Sequence, residues 1–187
     1  MLTARISSVR CPLCPRVSGR SRIEPDGPIP CRVMFLGECP AKDEDRFGRP
    51  FVGKTGREFT ELYLLVANLP RSEVLVYNAR CCSDQNYENP TPEQAMSCSS
   101  VWLGPLLAEA RPWILVTMGQ VAASLFPEIG NLNLQHGIPL PGKWGAWEGV
   151  LFPMYHPSAG IHATGYMIAL MDDFDKLEKL VRELEEL

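Results

Sequence analysis

Apolar residues along the chain fall into four short runs: RVMFLG (32–37), VLVY (74–77), WILVTMG (113–119) and VLFPMYH (150–156). A continuous apolar run of about four to eight residues, bounded by turn residues, predicts a strand buried on both faces. Between the runs the period changes. Lys54 to Asn68 places Phe59, Leu62, Leu65 and Val66 at helical spacing, and Pro70 ends it. Thr91-Pro92-Glu93 predicts a helix start, with Thr91 as N-cap and Pro92 at the first helical position, running to about Ala110. A short helix to Phe126 follows the third strand, and Tyr166 to Glu186 predicts a long amphipathic helix. Residues 17–31, 39–52 and 78–91 are polar or rich in Gly, Pro and Ser, and predict loops. Strand–helix alternation of this kind implies a parallel α/β sheet with helices on both faces. At 187 residues the chain has the length of one domain, 1–187.

Ligands of such folds bind beyond the carboxyl ends of the strands. Gly37-Glu38, Asn78 and His156 sit at three of those ends. Composition changes this picture little: 45% hydrophobic and 21% charged residues are globular usage and exclude a disordered chain. No apolar run reaches the ~18–20 residues of a membrane span. The first residues, MLTARISSVR, lack the apolar stretch of a signal peptide, so a cytoplasmic location and reduced cysteines are expected. The net charge of −4 is carried by residues 172–187, leaving the rest neutral overall. Two local basic groups remain: Arg5, Arg10, Arg16, Arg20 and Arg22, then Arg46, Arg49, Lys54 and Arg57. Such a face can meet phosphates on an acidic protein, because the field that matters is local. The plainer reading is a solvated surface.

Seven cysteines in a reducing compartment read as metal ligands or core thiols before disulfides. Cys11-Pro-Leu-Cys14 has the C-x2-C bite for one metal centre, and Cys82 and Cys98 form a distant pair. Four thiolates suit zinc or a [4Fe–4S] cluster, and spacing does not choose between them. Cys31 and Cys39 read as core thiols; Cys81, beside Cys82, is ambiguous.

Several motifs together resemble the family-four uracil-DNA glycosylases, the iron–sulfur branch of that superfamily. GECPAKDEDRFGRPFVGKTG (37–56) is similar to the family's Gly-Glu-Ala-Pro-Gly motif running into Gly-Arg-Pro-Phe-Val-Gly. Asn78 to Cys98 resembles its second block: Asn, three residues, Cys, a Pro-x-Pro-Glu stretch and a second Cys. MGQVAASLF (118–126) and YHPS (155–158) match its third strand–helix junction and its His-Pro-Ser motif. The resemblance covers roughly residues 10–170. It implies a three-layer αβα fold with a central four-stranded parallel sheet. It also implies a [4Fe–4S] cluster on Cys11, Cys14, Cys82 and Cys98, hydrolysis of the N-glycosidic bond of deoxyuridine, and a single- or double-stranded uracil-containing DNA substrate. Residues 1–31 would then be the cluster-binding segment and 164–187 an acidic C-terminal helix on a monomer.

The resemblance also distributes roles. Phe51 would stack on a flipped uracil beside Gly37, and Asn78 would read its Watson–Crick edge, donating to O4 and accepting from N3–H. His156 would donate to uracil O2 as charge grows on the leaving base. Glu38 would orient or deprotonate the attacking water, and Glu44, among the acids Asp43 and Asp45, would assist it or close the pocket near uracil C5. Ser158, Lys54 and Arg57 are expected at the DNA backbone, and Ile161 is expected to wedge into the gap left by the flipped base or to pack locally.

The chain departs from the family pattern at Cys39 and Ala41, and at Ala159-Gly160-Ile161-His162, where a Leu-Leu-Arg ending is frequent. Asp43-Glu44-Asp45 is acidic and lacks the histidine of the relative that links covalently to DNA, so no covalent trapping is expected. The rival expectations are excision of another modified base, a non-catalytic DNA-binding module, and a zinc-stabilised α/β protein.

Overall fold

The computed structural model describes residues 22–187. Five strands, β1 (Val33–Gly37), β2 (Val74–Asn78), β3 (Ile114–Met118), β4 (Leu140–Trp144) and β5 (Trp147–Met154), form one sheet in the order β2-β1-β3-β5-β4. The four apolar runs are the four parallel strands, and β1, β2 and β3 are buried along their whole length. Side chains alternate between faces along a strand. Met34, Leu36, Leu75, Leu115 and Leu151 therefore enter one core layer, and Val33, Phe35, Val76, Val116 and Phe152 enter the other.

A fifth strand is added to the expected four parallel ones. β4 runs antiparallel to β5 through a turn at Gly145, with Leu140 opposite Leu151. Its sequence, LPGKW, has no apolar run and contains Pro141 and Gly142, which an edge strand tolerates. Periodicity therefore does not announce it.

Helix α4 (Pro92–Ala110) covers the first layer. Thr91 Oγ1 accepts from the Gln94 N–H and Gln94 Oε1 accepts from the Thr91 N–H, closing a capping box at the expected start. The other layer is covered by α2 (Lys54–Glu58), a π-helical turn (Phe59–Tyr63), α3 (Leu64–Val66) and the long helix α8 (Thr164–Glu185). In α8, Leu170, Phe174, Leu177 and Val181 make the buried stripe, joined by one buried acid, Asp173, while Asp172, Asp175 and Glu183 face outward. Three further helices stand at the carboxyl ends of the strands or beside them: α5 (Gln120–Ala123), α6 (Leu132–Gln135) and α7 (Pro157–His162). One more, α1 (Lys42–Phe47), lies inside the stretch expected to be loop. Among the described residues no helix is long and apolar enough to cross a membrane.

Candidate active site

The carboxyl ends of β1, β2 and β5 bring Gly37, Glu38, Asn78 and His156 together, as their positions in the sequence imply. In-register pairing sets Gly37 beside Asn78, and the ladder continues past the strands through Ala79 N–H to Gly37 O and Arg80 N–H to Glu38 O. A Cβ on Gly37 would lie 2.6 Å from Asn78 Oδ1 and 2.8 Å from the Phe51 ring. Only a residue without a side chain leaves this floor open. Asn78 is buried, and its Oδ1 has no hydrogen-bond partner. A buried acceptor left unpaired costs about 1–3 kcal/mol, so the site gains from any ligand that brings a donor to it.

Phe51 forms one wall. Its ring centroid is 5.2 Å from Phe59 and 5.9 Å from His156. Its backbone is in the left-handed region, φ 56°, which a bulky residue adopts only when its surroundings force it. Two neighbours do so. Glu44, buried in α1, accepts from the Val52 and Gly53 amides with Oε1 at 3.0 and 2.9 Å, and from Ala41 with Oε2 at 3.1 Å. On the other side, a Cβ at Gly56 would sit 1.9 Å from the Phe51 carbonyl oxygen, so α2 packs directly on this turn. The Glu44 carboxylate thus ties the Glu38 loop to the Phe51 loop through three backbone amides.

His156 is the N-cap of α7. Its Nδ1 accepts from the Ser158 amide at 3.2 Å and lies 2.8 Å from Ser158 Oγ. An amide can only donate, so Nδ1 carries no proton and the ring proton is on Nε2. Burial pushes the imidazole pKa down to about 4. The ring is therefore neutral near pH 7 and presents an N–H donor from Nε2. Glu38 is half-buried; desolvation raises its pKa, partly offset by the Val121 amide that donates to Oε1 at 3.2 Å. Gly119 separates this carboxylate from His156. The arrangement offers a flat slot with an aromatic wall, one amide edge, one neutral N–H donor and one carboxylate with raised proton affinity. Those are the elements for holding a planar heterocycle and stabilising charge that develops on it.

Of the other expected residues, Ser158 is in place beside His156. Lys54 and Arg57 are exposed on α2, which packs against α7, and Ile161 is half-buried on α7. The signal that sequence reading missed is Arg80. It is buried, donating from Nε to Cys82 O at 3.0 Å and from NH2 to Glu88 O at 2.7 Å, and so pins the loop after β2. Only its place within the polar loop 78–91, two residues after Asn78, could have drawn attention to it. Cys39 approaches that loop, 3.8 Å from Glu88 O and Asn89 Oδ1, and burial pushes its thiol up to about 11.

The cysteines form a second cluster on the α4 side. Cys98 Sγ is 3.4 Å from Cys81 Sγ and accepts from the Cys81 N–H at 3.4 Å. These hydrogen bonds, with Arg22 and Arg80 nearby, lower the Cys98 pKa, while burial raises that of Cys81. Cys81 Sγ also lies 2.7 Å from the Tyr77 hydroxyl, which accepts from Arg22 at 3.1 Å, and Arg22 stacks over Trp102. Cys82 is buried in the same cluster. Cys11 and Cys14 lie outside the described residues. Among the described residues no group of three or more His, Cys, Asp or Glu is placed to hold a metal ion.

Comparison with known proteins places this architecture. Residues 24–185 match the Uracil DNA glycosylase superfamily. The chain belongs to that superfamily. It is 30% identical over 179 residues to the type-4 uracil-DNA glycosylase of Sulfurisphaera tokodaii, covering 92% of this chain and 80% of the relative. The type-4 uracil-DNA glycosylase of Archaeoglobus fulgidus is 32% identical over 154 residues, 79% of this chain and 76% of the relative. That of Saccharolobus solfataricus is 28% identical over 176 residues, 91% and 81% respectively. The superfamily fold accords with the expected αβα layering, with the antiparallel edge strand added.

Proposed function

We propose that this chain is a uracil-DNA glycosylase that hydrolyses the N-glycosidic bond of deoxyuridine in DNA. The observation that carries the reading is the unpaired Asn78 Oδ1, which shares the space above Gly37 with the Phe51 ring, itself 5.9 Å from a neutral His156, in a member of this superfamily. Uracil matches that slot. Its N3–H meets the free acceptor, its O4 takes the Asn78 amide N–H, and cytosine reverses both groups. The base leaves the duplex at a cost of a few kcal/mol. Stacking on Phe51 returns about 1–3 kcal/mol.

As the C1′–N1 bond breaks, its electron pair moves onto the uracil ring. The His156 Nε2–H donates to O2, where that charge collects. Glu38 takes the proton of the attacking water, and its carboxylate offsets the positive charge on the sugar. The water oxygen bonds to C1′, and the proton held by Glu38 passes through solvent to the departing uracil anion, leaving an abasic site, free uracil and the carboxylate restored. In this reading Glu44 is a positioning residue, because its oxygens are already committed to three backbone amides. Ser158, Lys54 and Arg57 serve the phosphates, and Ile161 fills the vacated stack.

A [4Fe–4S] cluster on Cys11, Cys14, Cys82 and Cys98 belongs to the same reading. The described thiols fit a cluster by their chemistry: the Cys98 thiol is shifted toward thiolate, between Cys81 and the charges of Arg22 and Arg80. When bound, the cluster would tie the N-terminal segment to the start of α4 and the loop after β2. Purified protein should then carry an absorbance shoulder near ~400 nm, typical of such iron–sulfur sites, and Cys98→Ala should lose it.

The test is incubation with labelled oligonucleotides bearing one uracil, followed by alkali. Wild type should cut at uracil, and His156→Ala should be slower by about 100-fold or more. An intact, DNA-binding protein that spares uracil would move the reading to another modified base.

A further inference from the structure

Next to the candidate site, three rings form a ladder that the mechanism above does not use. His136 follows α6, Tyr155 immediately precedes His156, and Tyr166 lies in the first turn of α8. Their centroids are 4.5 Å apart between His136 and Tyr155, and 4.8 Å apart between Tyr155 and Tyr166. The ladder is built rather than incidental. His136 Nδ1 is 2.8 Å from Oδ2 of Asp173, a fully buried carboxylate on α8, and the Tyr155 hydroxyl donates to Asn133 Oδ1 at 3.1 Å. The Gly137 N–H donates to Pro153 O, which anchors the segment to the end of β5. Despite this support the outer end is open. Tyr166 is 43% exposed, and Leu134 and Ile138 beside His136 are 75% and 46% exposed.

We propose that this ladder is a stacking platform for the unpaired base next to the flipped uracil, used when the substrate strand is single-stranded. The inference rests on the glycosylase reading and extends it to the substrate strand. Continuity decides the occupant. Tyr155 and His156 are consecutive at the end of β5, so the ladder starts from the same strand end as the imidazole. Aromatic faces suit this use because every base has a π-face, and stacking does not depend on sequence. The polar groups around the rings, Asn133 and the outer nitrogen of His136, suit the edge of a base better than an apolar peptide. In a duplex the neighbouring base is already stacked on its own strand, so the platform gains less there.

The experiment uses a single-stranded oligonucleotide with an uncleavable abasic analogue in place of the uracil nucleotide and 2-aminopurine beside it. Binding and quenching of the 2-aminopurine are measured for wild type, Tyr166→Ala and Tyr166→Phe, with the melting temperature of each variant as a folding control. Tyr166→Ala should weaken binding about fivefold or more and lose most of the quenching, whereas Tyr166→Phe keeps both within about twofold. On a single-stranded uracil substrate the Tyr166→Ala loss should fall on KM rather than kcat, and be smaller on a duplex. Equal affinity and equal quenching in wild type and a folded Tyr166→Ala protein would overturn the platform. Failure of wild type to release uracil would overturn the glycosylase reading instead, and the binding and quenching data would still decide the platform.

Discussion

His156 can donate only because Ser158 dictates its tautomer. The Ser158 amide points at Nδ1, so the proton sits on Nε2, and burial keeps the ring neutral down to about pH 4. The pH profile of excision should therefore lack a histidine limb near 6.5. Its acid limb should come from Glu38, above the ordinary carboxylate value because desolvation favours the protonated form. The two groups also have opposite effects on stability. A carboxyl whose folded pKa is raised contributes most below its unfolded value, and that contribution is lost as pH rises. Glu38→Gln should accordingly abolish excision yet raise the melting temperature at neutral pH. His156, with a lowered pKa, supports the fold above 6.5 and withdraws that support as pH falls toward 4. A melting-temperature series across pH for wild type and Glu38→Gln checks both signs. At Gly37, a Cβ would collide with Asn78 and Phe51, so Gly37→Ala should fold and lose excision, read by circular dichroism beside the assay.

The elements that carry the site were legible to different degrees. The four parallel strands were plain because burial on both faces leaves an unbroken apolar run, and their ends gave Glu38, Asn78 and His156. Helix α1 was not, because its six residues, KDEDRF, include three acids and offer one buried side chain, Glu44. What holds it lies outside the helix: Glu44 braces the amides of 52 and 53, eight and nine residues on, and periodicity carries no trace of such bonds. The strand β4 was hidden for the reason given by its Pro and Gly. Glu44→Ala would leave three backbone donors without this acceptor and free Phe51 from its left-handed turn. It should lower stability by about 1–3 kcal/mol and raise KM for uracil DNA, measured by denaturation and steady-state kinetics. Were Glu44 to act on the water instead, the loss would fall on kcat with stability unchanged.

For the whole molecule, the sheet concentrates the reactive groups at one end while the acidic charge of residues 172–187 lies on α8. In the proposed reading, binding to DNA depends on a few local cations, Lys54 and Arg57 among them, and not on net charge. Affinity should fall with salt, and each of Lys54→Ala and Arg57→Ala should reduce the slope of log K against log salt by about 1. Substitution of a residue that contacts no phosphate would leave that slope unchanged. The central claim is that the slot between Phe51, Asn78 and His156 accepts uracil and releases it from DNA. Its most direct test is detection of the free base by mass, under single-turnover conditions, from otherwise identical DNA carrying uracil, cytosine or thymine. Wild type should release uracil alone, and Asn78→Ala almost none. Release of another base, or equal release of uracil by Asn78→Ala, would contradict the claim.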